Sequence, residues 1–140
     1  MAAMTASFWR LAVRSEFSAA HALRNYQGKC ENTHGHNFAV EAVVQGDSLL
    51  EDTEFLVDFS QIKEHLKTVL ETLDHKDLNS TPPFDCINPS SENLSRHIYR
   101  ALAPLVAQHG VRLYSVTVGE KSAQSATYFE EEVWPASESP

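Results

Sequence analysis

The chain has 140 residues, 42% of them hydrophobic and 21% charged, with a formal net charge of -8. Such a length suits one core that buries about 70% of the unfolded surface, and a single domain over residues 1–140 is expected. No cluster of lysine and arginine exists to neutralise phosphates, which argues against a nucleic-acid partner, and no segment approaches the roughly 20 apolar residues of a membrane span.

In chain order, Phe8 to Phe17 alternates roughly in twos and reads as a strand. A long loop follows, carrying His21, Cys30 and His34; loops beyond about a dozen residues in a compact domain are more often functional than idle. Asn37 to Val44, rich in apolar and β-branched residues, forms a second strand that stops at Gln45-Gly46-Asp47. From Asp58 the period changes. Phe59, Ile62, Leu66, Val69, Leu70 and Leu73 recur at helical spacing behind Asp58 as N-cap, with Gln61 three residues on. A second helix starts at Ser90 or Ser91, carries Leu94, Ile98, Leu102, Leu105 and Val106 on one stripe, kinks at Pro104 and stops at Gly110. Val111 to Glu120 and Thr127 to Val133 complete an order ββααββ. Helices segregated from antiparallel strands define an α+β fold. The ends, about residues 1–6 and 135–140, are expected to be flexible tails. The opening Met-Ala-Ala-Met-Thr lacks a basic region followed by an apolar run, so a cytoplasmic chain with free thiols at Cys30 and Cys86 is expected.

The tripeptide His34-Gly35-His36 carries the strongest chemical signal. If His36 opens a strand, residues two apart share a face and both imidazoles reach one ion. Antiparallel pairing with the first strand brings His21 alongside, and three imidazoles with an open fourth position describe a catalytic zinc. Iron, nickel or copper accept the same donors. Cys30 has three readings: a fourth ligand closing a structural site, a thiol of lowered pKa acting as a base beside the cation, or a small buried hydrophobe. Asp74-His75 follows the first helix, where His75 either caps the last carbonyls or forms a proton-transfer pair with Asp74. Asp77 is a competing carboxylate. Glu120 is either a solvated strand-end charge or a clamp for a donor–donor edge such as that of a pterin or guanine. Arg24, Lys29 and Lys121 are the nearest cations for a phosphorylated ligand.

Five blocks in order carry a resemblance: Phe17-Ser18-Ala19-Ala20-His21, Cys30 through Phe38, Leu56-Val57-Asp58-Phe59, Leu73 through Asn79, and Pro89-Ser90-Ser91-Glu92-Asn93-Leu94. Together they resemble the family of 6-pyruvoyl-tetrahydropterin and 6-carboxytetrahydropterin synthases. That resemblance implies the tunnelling fold, in which ββααββ subunits form trimeric barrels and two trimers stack as a hexamer with active sites between subunits. It implies zinc on His21, His34 and His36, Cys30 as base, Asp74 and His75 as a proton relay from a neighbouring subunit, and Glu120 as pterin anchor. Three residues between Cys30 and His34 resemble the bacterial carboxytetrahydropterin synthases. Their implied reaction is a lyase conversion of 7,8-dihydroneopterin triphosphate to 6-carboxy-5,6,7,8-tetrahydropterin, with acetaldehyde and triphosphate released, toward queuosine. Glu31, as a substrate-binding residue, resembles the branch that makes 6-hydroxymethyl-7,8-dihydropterin for folate. Lys121 stands where the family usually has threonine. A non-catalytic zinc- or pterin-binding subunit is the reading from another class.

Overall fold

The computed structural model describes residues 2–27 and 32–133. Strand β1 (Trp9–His21) and strand β2 (His34–Gly46) form a long antiparallel hairpin, followed by helix α1 (Phe59–Glu71), a two-residue strand β3 (Lys76–Asp77), helix α2 (Ser91–Ala107), and strands β4 (Arg112–Lys121) and β5 (Gln124–Tyr128). The sheet order is β3-β1-β2-β4-β5, antiparallel except for β3 beside β1. This is the expected α+β arrangement, with one short strand added.

Alternation on the strands decides which face is covered. Val13, Phe17 and Ala19 of β1, Phe38, Val40, Ala42 and Val44 of β2, and Val116 and Val118 of β4 are all buried, and their neighbours face outward. The apolar stripes of α1 (Ile62, Leu66, Val69, Leu70) and α2 (Leu94, Ile98, Leu102, Val106) cover that face and form one core with it. Burying side chains of this size contributes about 1.5–3 kcal/mol each. Phe59, expected on the α1 stripe, is 48% exposed instead.

Both helix starts follow from their sequence. The Asp58 carboxylate accepts from the Ser60 N–H at 2.8 Å, and Ser90 Oγ accepts from the Asn93 N–H at 3.2 Å. Helix α2 continues three residues past the exposed Pro104, and Gly110 takes a left-handed φ of 73° just beyond the helix end.

Several strand boundaries differ from the sequence expectation, among them the end of β5 at Tyr128 instead of Val133. Strand β1 runs on through His21 and β2 begins at His34, so both histidines sit on strands and not in the loop. Strand β3 arises because the His75 N–H donates to the Ser18 carbonyl at 2.6 Å, which lays the chain along the edge of β1. Strand β5 starts at Gln124 and not Thr127, because Lys121 pairs with Gln124 across a turn with only Ser122 and Ala123 between them. Ser-Ala carries none of the Asn-Gly chemistry that announces a two-residue hairpin.

Gly119 is required by that turn. A Cβ there would stand 2.9 Å from the Gln124 carbonyl oxygen, whereas one at Gly35 would meet nothing within 4 Å. Gly119→Ala is therefore expected to destabilise the protein by about 1–3 kcal/mol through overpacking, read from the urea midpoint, and Gly35→Ala to leave the midpoint nearly unchanged.

Candidate metal centre

The β1–β2 register sets the site. His21 pairs with His34, Ala19 with His36 and Phe17 with Phe38, so His21, His34 and His36 lie on the same, helix-covered face. On β4, Val118 pairs with Val40 and Gly119 with Ala39, which carries Glu120 to the level of Phe38 on that face. One ligand atom from each of His21, His34, His36 and Glu120 lies within 4.8 Å of all the others. Phe17 and Phe38 stack 4.9 Å apart beneath, and the His21 ring meets Phe38 edge-on at 5.1 Å.

Hydrogen bonds fix which nitrogens face inward. Nδ1 of the fully buried His21 lies 2.8 Å from the Pro89 carbonyl and Nδ1 of His34 lies 2.7 Å from the Asn32 carbonyl. A carbonyl only accepts, so each ring carries a proton on Nδ1, and in the neutral form the lone pair is on Nε2. His21 Nε2 is buried without a hydrogen-bond partner, although Glu120 Oε1 is only 3.3 Å away, and His36 Nε2 lies 3.4 Å from Glu120 Oε2. In the neutral His21 ring that contact sets a lone pair against a carboxylate oxygen, an unfavourable arrangement that a nearby cation relieves. Burial foremost, with the neighbouring His34 and His21, holds the His36 pKa below its ordinary value of 6.5 despite the opposing pull of Glu120. A neutral imidazole is the form that binds metal. The residues present fit a divalent ion.

Glu120 takes a second part as well. It lines a cavity of about 320 Å3 with Leu23, Tyr26, Ser90, Ser91, Glu92 and Gln124, beside the first turn of α2. Sequence reasoning placed Glu120 at the substrate and not at the metal; its proximity to the imidazoles depends on β4 lying next to β2, which spacing along the chain does not reveal.

Asp74 and His75 sit at the sheet edge. Asp74 Oδ1 accepts from the Ser18 N–H at 2.9 Å and its Oδ2 lies 2.9 Å from His75 Nδ1, while the His75 side chain is 82% exposed. His75 has a left-handed φ of 57°, a conformation of the kind that clusters at working sites. The His75 ring has Asp74 as its partner and caps no carbonyl of α1 among the described residues. His75 and Lys76 line an open groove of about 600 Å3 together with His36, Ser18 and Asn37. Asp77, the competing carboxylate, is occupied by the Asn79 N–H and the Ser80 hydroxyl.

Cys30, Glu31 and Lys29 lie outside the described residues. Arg24 is committed to the carbonyls of Ile87 and Phe84 at 3.0 and 2.7 Å, so it is not free for a phosphate. Cys86 is a free, exposed thiol. His65 and His109 bond to each other at 2.8 Å, and His97 packs on Phe84.

A histidine-rich group with a carboxylate neighbour, set at the end of a helix-backed antiparallel sheet, is one that could hold a metal ion. Residues 10–131 match the family profile of 6-pyruvoyl tetrahydropterin synthase, and the chain belongs to that family. It is 33% identical over 132 residues to the 6-carboxy-5,6,7,8-tetrahydropterin synthase of Synechocystis, covering 91% of this chain and 98% of the relative. It is also 33% identical over 127 residues to the 6-pyruvoyl tetrahydrobiopterin synthase of Dictyostelium discoideum, covering 82% and 91% of the two chains. The solved 6-pyruvoyl tetrahydropterin synthase of Caenorhabditis elegans superposes with a TM-score of 0.79 at 25% identity, over 92% of this chain and all of that one. The fold is thus the tunnelling fold expected from the motifs.

The Ser18 N–H bond, ahead of the contact with His75, holds the Asp74 carboxyl below its ordinary value of 3.8. A carboxylate depressed in the folded state stabilises fully above its unfolded pKa and loses that contribution as pH falls through the lower folded value. Protection of the Ser18 amide from hydrogen exchange is expected to persist on acidification past 3.8, and to be lost at neutral pH in Asp74→Ala.

Proposed function

We propose that the chain is a zinc-dependent lyase that converts 7,8-dihydroneopterin triphosphate, with uptake of water, to 6-carboxy-5,6,7,8-tetrahydropterin, acetaldehyde and triphosphate. The observation that carries this reading is the orphaned Nε2 of His21, converging with His34, His36 and Glu120 beside a substrate-sized cavity. The name of the Synechocystis relative and the three-residue spacing of Cys30 and His34 favour the carboxy product. The product places the enzyme on a cytoplasmic route to 7-deazaguanines such as queuosine.

In this reading His21, His34 and His36 hold the zinc. At such a centre zinc supplies Lewis-acid polarisation of the substrate's side-chain oxygens. The Glu120 carboxylate accepts hydrogen bonds from the amino-pyrimidinone edge of the pterin in the cavity it lines, as only a two-acceptor group can. Cys30, four residues before His34, removes a carbon-bound proton as thiolate, its pKa lowered by the neighbouring cation. Asp74 orients the His75 ring through Nδ1, leaving the exposed Nε2 to take or give a proton at a neighbouring subunit's site. Glu31 contributes to substrate binding. The order of events needs no redox cofactor.

Assembly completes the site. On its outer side β1 pairs with β3 only at Ala19 and Ala20, so the edge from Trp9 to Phe17 lacks a strand partner among the described residues. β5 leaves a second edge at the other end of the sheet. Open edges of this kind support barrel closure between copies, here a trimer doubled to a hexamer in which His75 serves a neighbour's zinc.

Two experiments follow. Incubation of the zinc-loaded protein with 7,8-dihydroneopterin triphosphate, analysed by mass spectrometry, is expected to yield 6-carboxytetrahydropterin and acetaldehyde. Hydroxymethyl-dihydropterin or pyruvoyl-tetrahydropterin alone would replace the proposed reaction, and no conversion would leave a zinc- or pterin-binding subunit. Cys30→Ala is expected to keep zinc and lose about 10²–10⁴-fold in kcat, whereas His34→Ala loses both; zinc loss in the cysteine variant would make Cys30 a ligand.

A further inference from the structure

We propose that Asn79 and Asn88 are positioning residues that fix the place and the tautomer of His21, by acting as a ladder of side chains where the sheet has run out. The inference rests on reading His21 as a metal ligand. Strand β1 ends at His21, and the next residues must be held if that ring is to stay aimed. Asn79 Oδ1 accepts from the Ala22 N–H at 2.8 Å, and its Nδ2 donates to the Ala22 carbonyl at 2.9 Å. Two residues on, Asn88 does the same for Arg24, at 2.8 Å from its N–H and 3.0 Å to its carbonyl. Paired bonds to alternate residues are what a neighbouring antiparallel strand supplies; here two amides supply them.

The same loop supplies the tautomer. Pro89, next to Asn88, offers the carbonyl that faces His21 Nδ1 at 2.8 Å. Arg24 closes the frame by donating to the Ile87 and Phe84 carbonyls, and Asn93 of α2 donates to the Asn88 carbonyl at 2.9 Å. Displacing residue 22 therefore moves His21 and its carbonyl partner relative to one another. A second-sphere partner of this kind tunes a ligand without touching the ion.

The test compares Asn79→Ala with Ser80→Ala, which removes a bond of 3.0 Å to Asp77 in the same turn and leaves Ala22 held. Three quantities are read: the His21 ring tautomer by nitrogen–proton NMR on metal-free protein, zinc affinity by chelator competition, and Tm. Asn79→Ala is expected to lose the single Nδ1–H signature and to bind zinc about 10–100-fold more weakly; Ser80→Ala is expected to change Tm alone. Asn79→Asp, which keeps the acceptor and loses the donor, should fall between, and it carries the comparison if the alanine variant does not fold. Wild-type tautomer and zinc affinity in either Asn79 variant, whatever its Tm, would overturn the inference. If the wild type itself binds no zinc, the metal reading fails separately while the tautomer still decides the role of Asn79.

Discussion

The antiparallel register of β1 against β2 is the constraint on which the rest of this structure depends. With His21 opposite His34 and Ala19 opposite His36, three imidazoles emerge on the one face that the helices cover. A slip of one residue would turn His21 to the opposite face and expose Phe17 and Val13 with it. The register is thus specified by the hydrophobic core, and the metal centre inherits its precision from Phe17, Phe38, Val40 and Ala42, not from the loop that carries the motif. The same burial keeps His36 neutral and therefore ready to bind.

Around that register the polar groups differ in how they are held. His21, His34 and His36 sit on strands. The Asp74–His75 pair is tied to the backbone of Ser18 and, through the Asp74 N–H, to the Leu70 carbonyl, and leaves its ring exposed. Glu120 ends β4, where the close approach of Gly119 to Gln124 shapes the turn that follows. The loop from Asn79 to Pro89 closes the site from the helix side. Groups that hold an ion need fixed geometry, whereas a proton relay needs reach.

Much of this was legible in the chain. The i, i+2 spacing of His34 and His36 matters only on a strand, and the apolar, β-branched run from Asn37 to Val44 announces one. The stripes of Leu66, Val69 and Leu70, and of Leu94, Ile98 and Leu102, gave both helices with their caps. What could not be read depends on contacts between distant segments. The two-residue β3 carries no pattern of its own and exists because Ser18 offers it a carbonyl. Gln124 to Ala126 carry no strand signal of their own because Ser122-Ala123 is not a typical turn sequence. The place of Glu120 beside His21 required knowing that β4 lies next to β2, and the commitment of Arg24 to loop carbonyls required knowing where that loop lies. The family blocks carried the rest, since five short motifs in order are more specific than any one ligand spacing.

The central claim is that His21, His34 and His36 hold one metal ion through Nε2 while Pro89 retains the His21 Nδ1 proton. Anomalous diffraction at the zinc edge from crystals of the zinc-loaded protein tests it most directly. The account predicts a single strong peak about 2.0–2.1 Å from the three Nε2 atoms, with the Nδ1 contact to the Pro89 carbonyl intact. A peak bound through Nδ1 of His21, or no peak among these three rings, would contradict it.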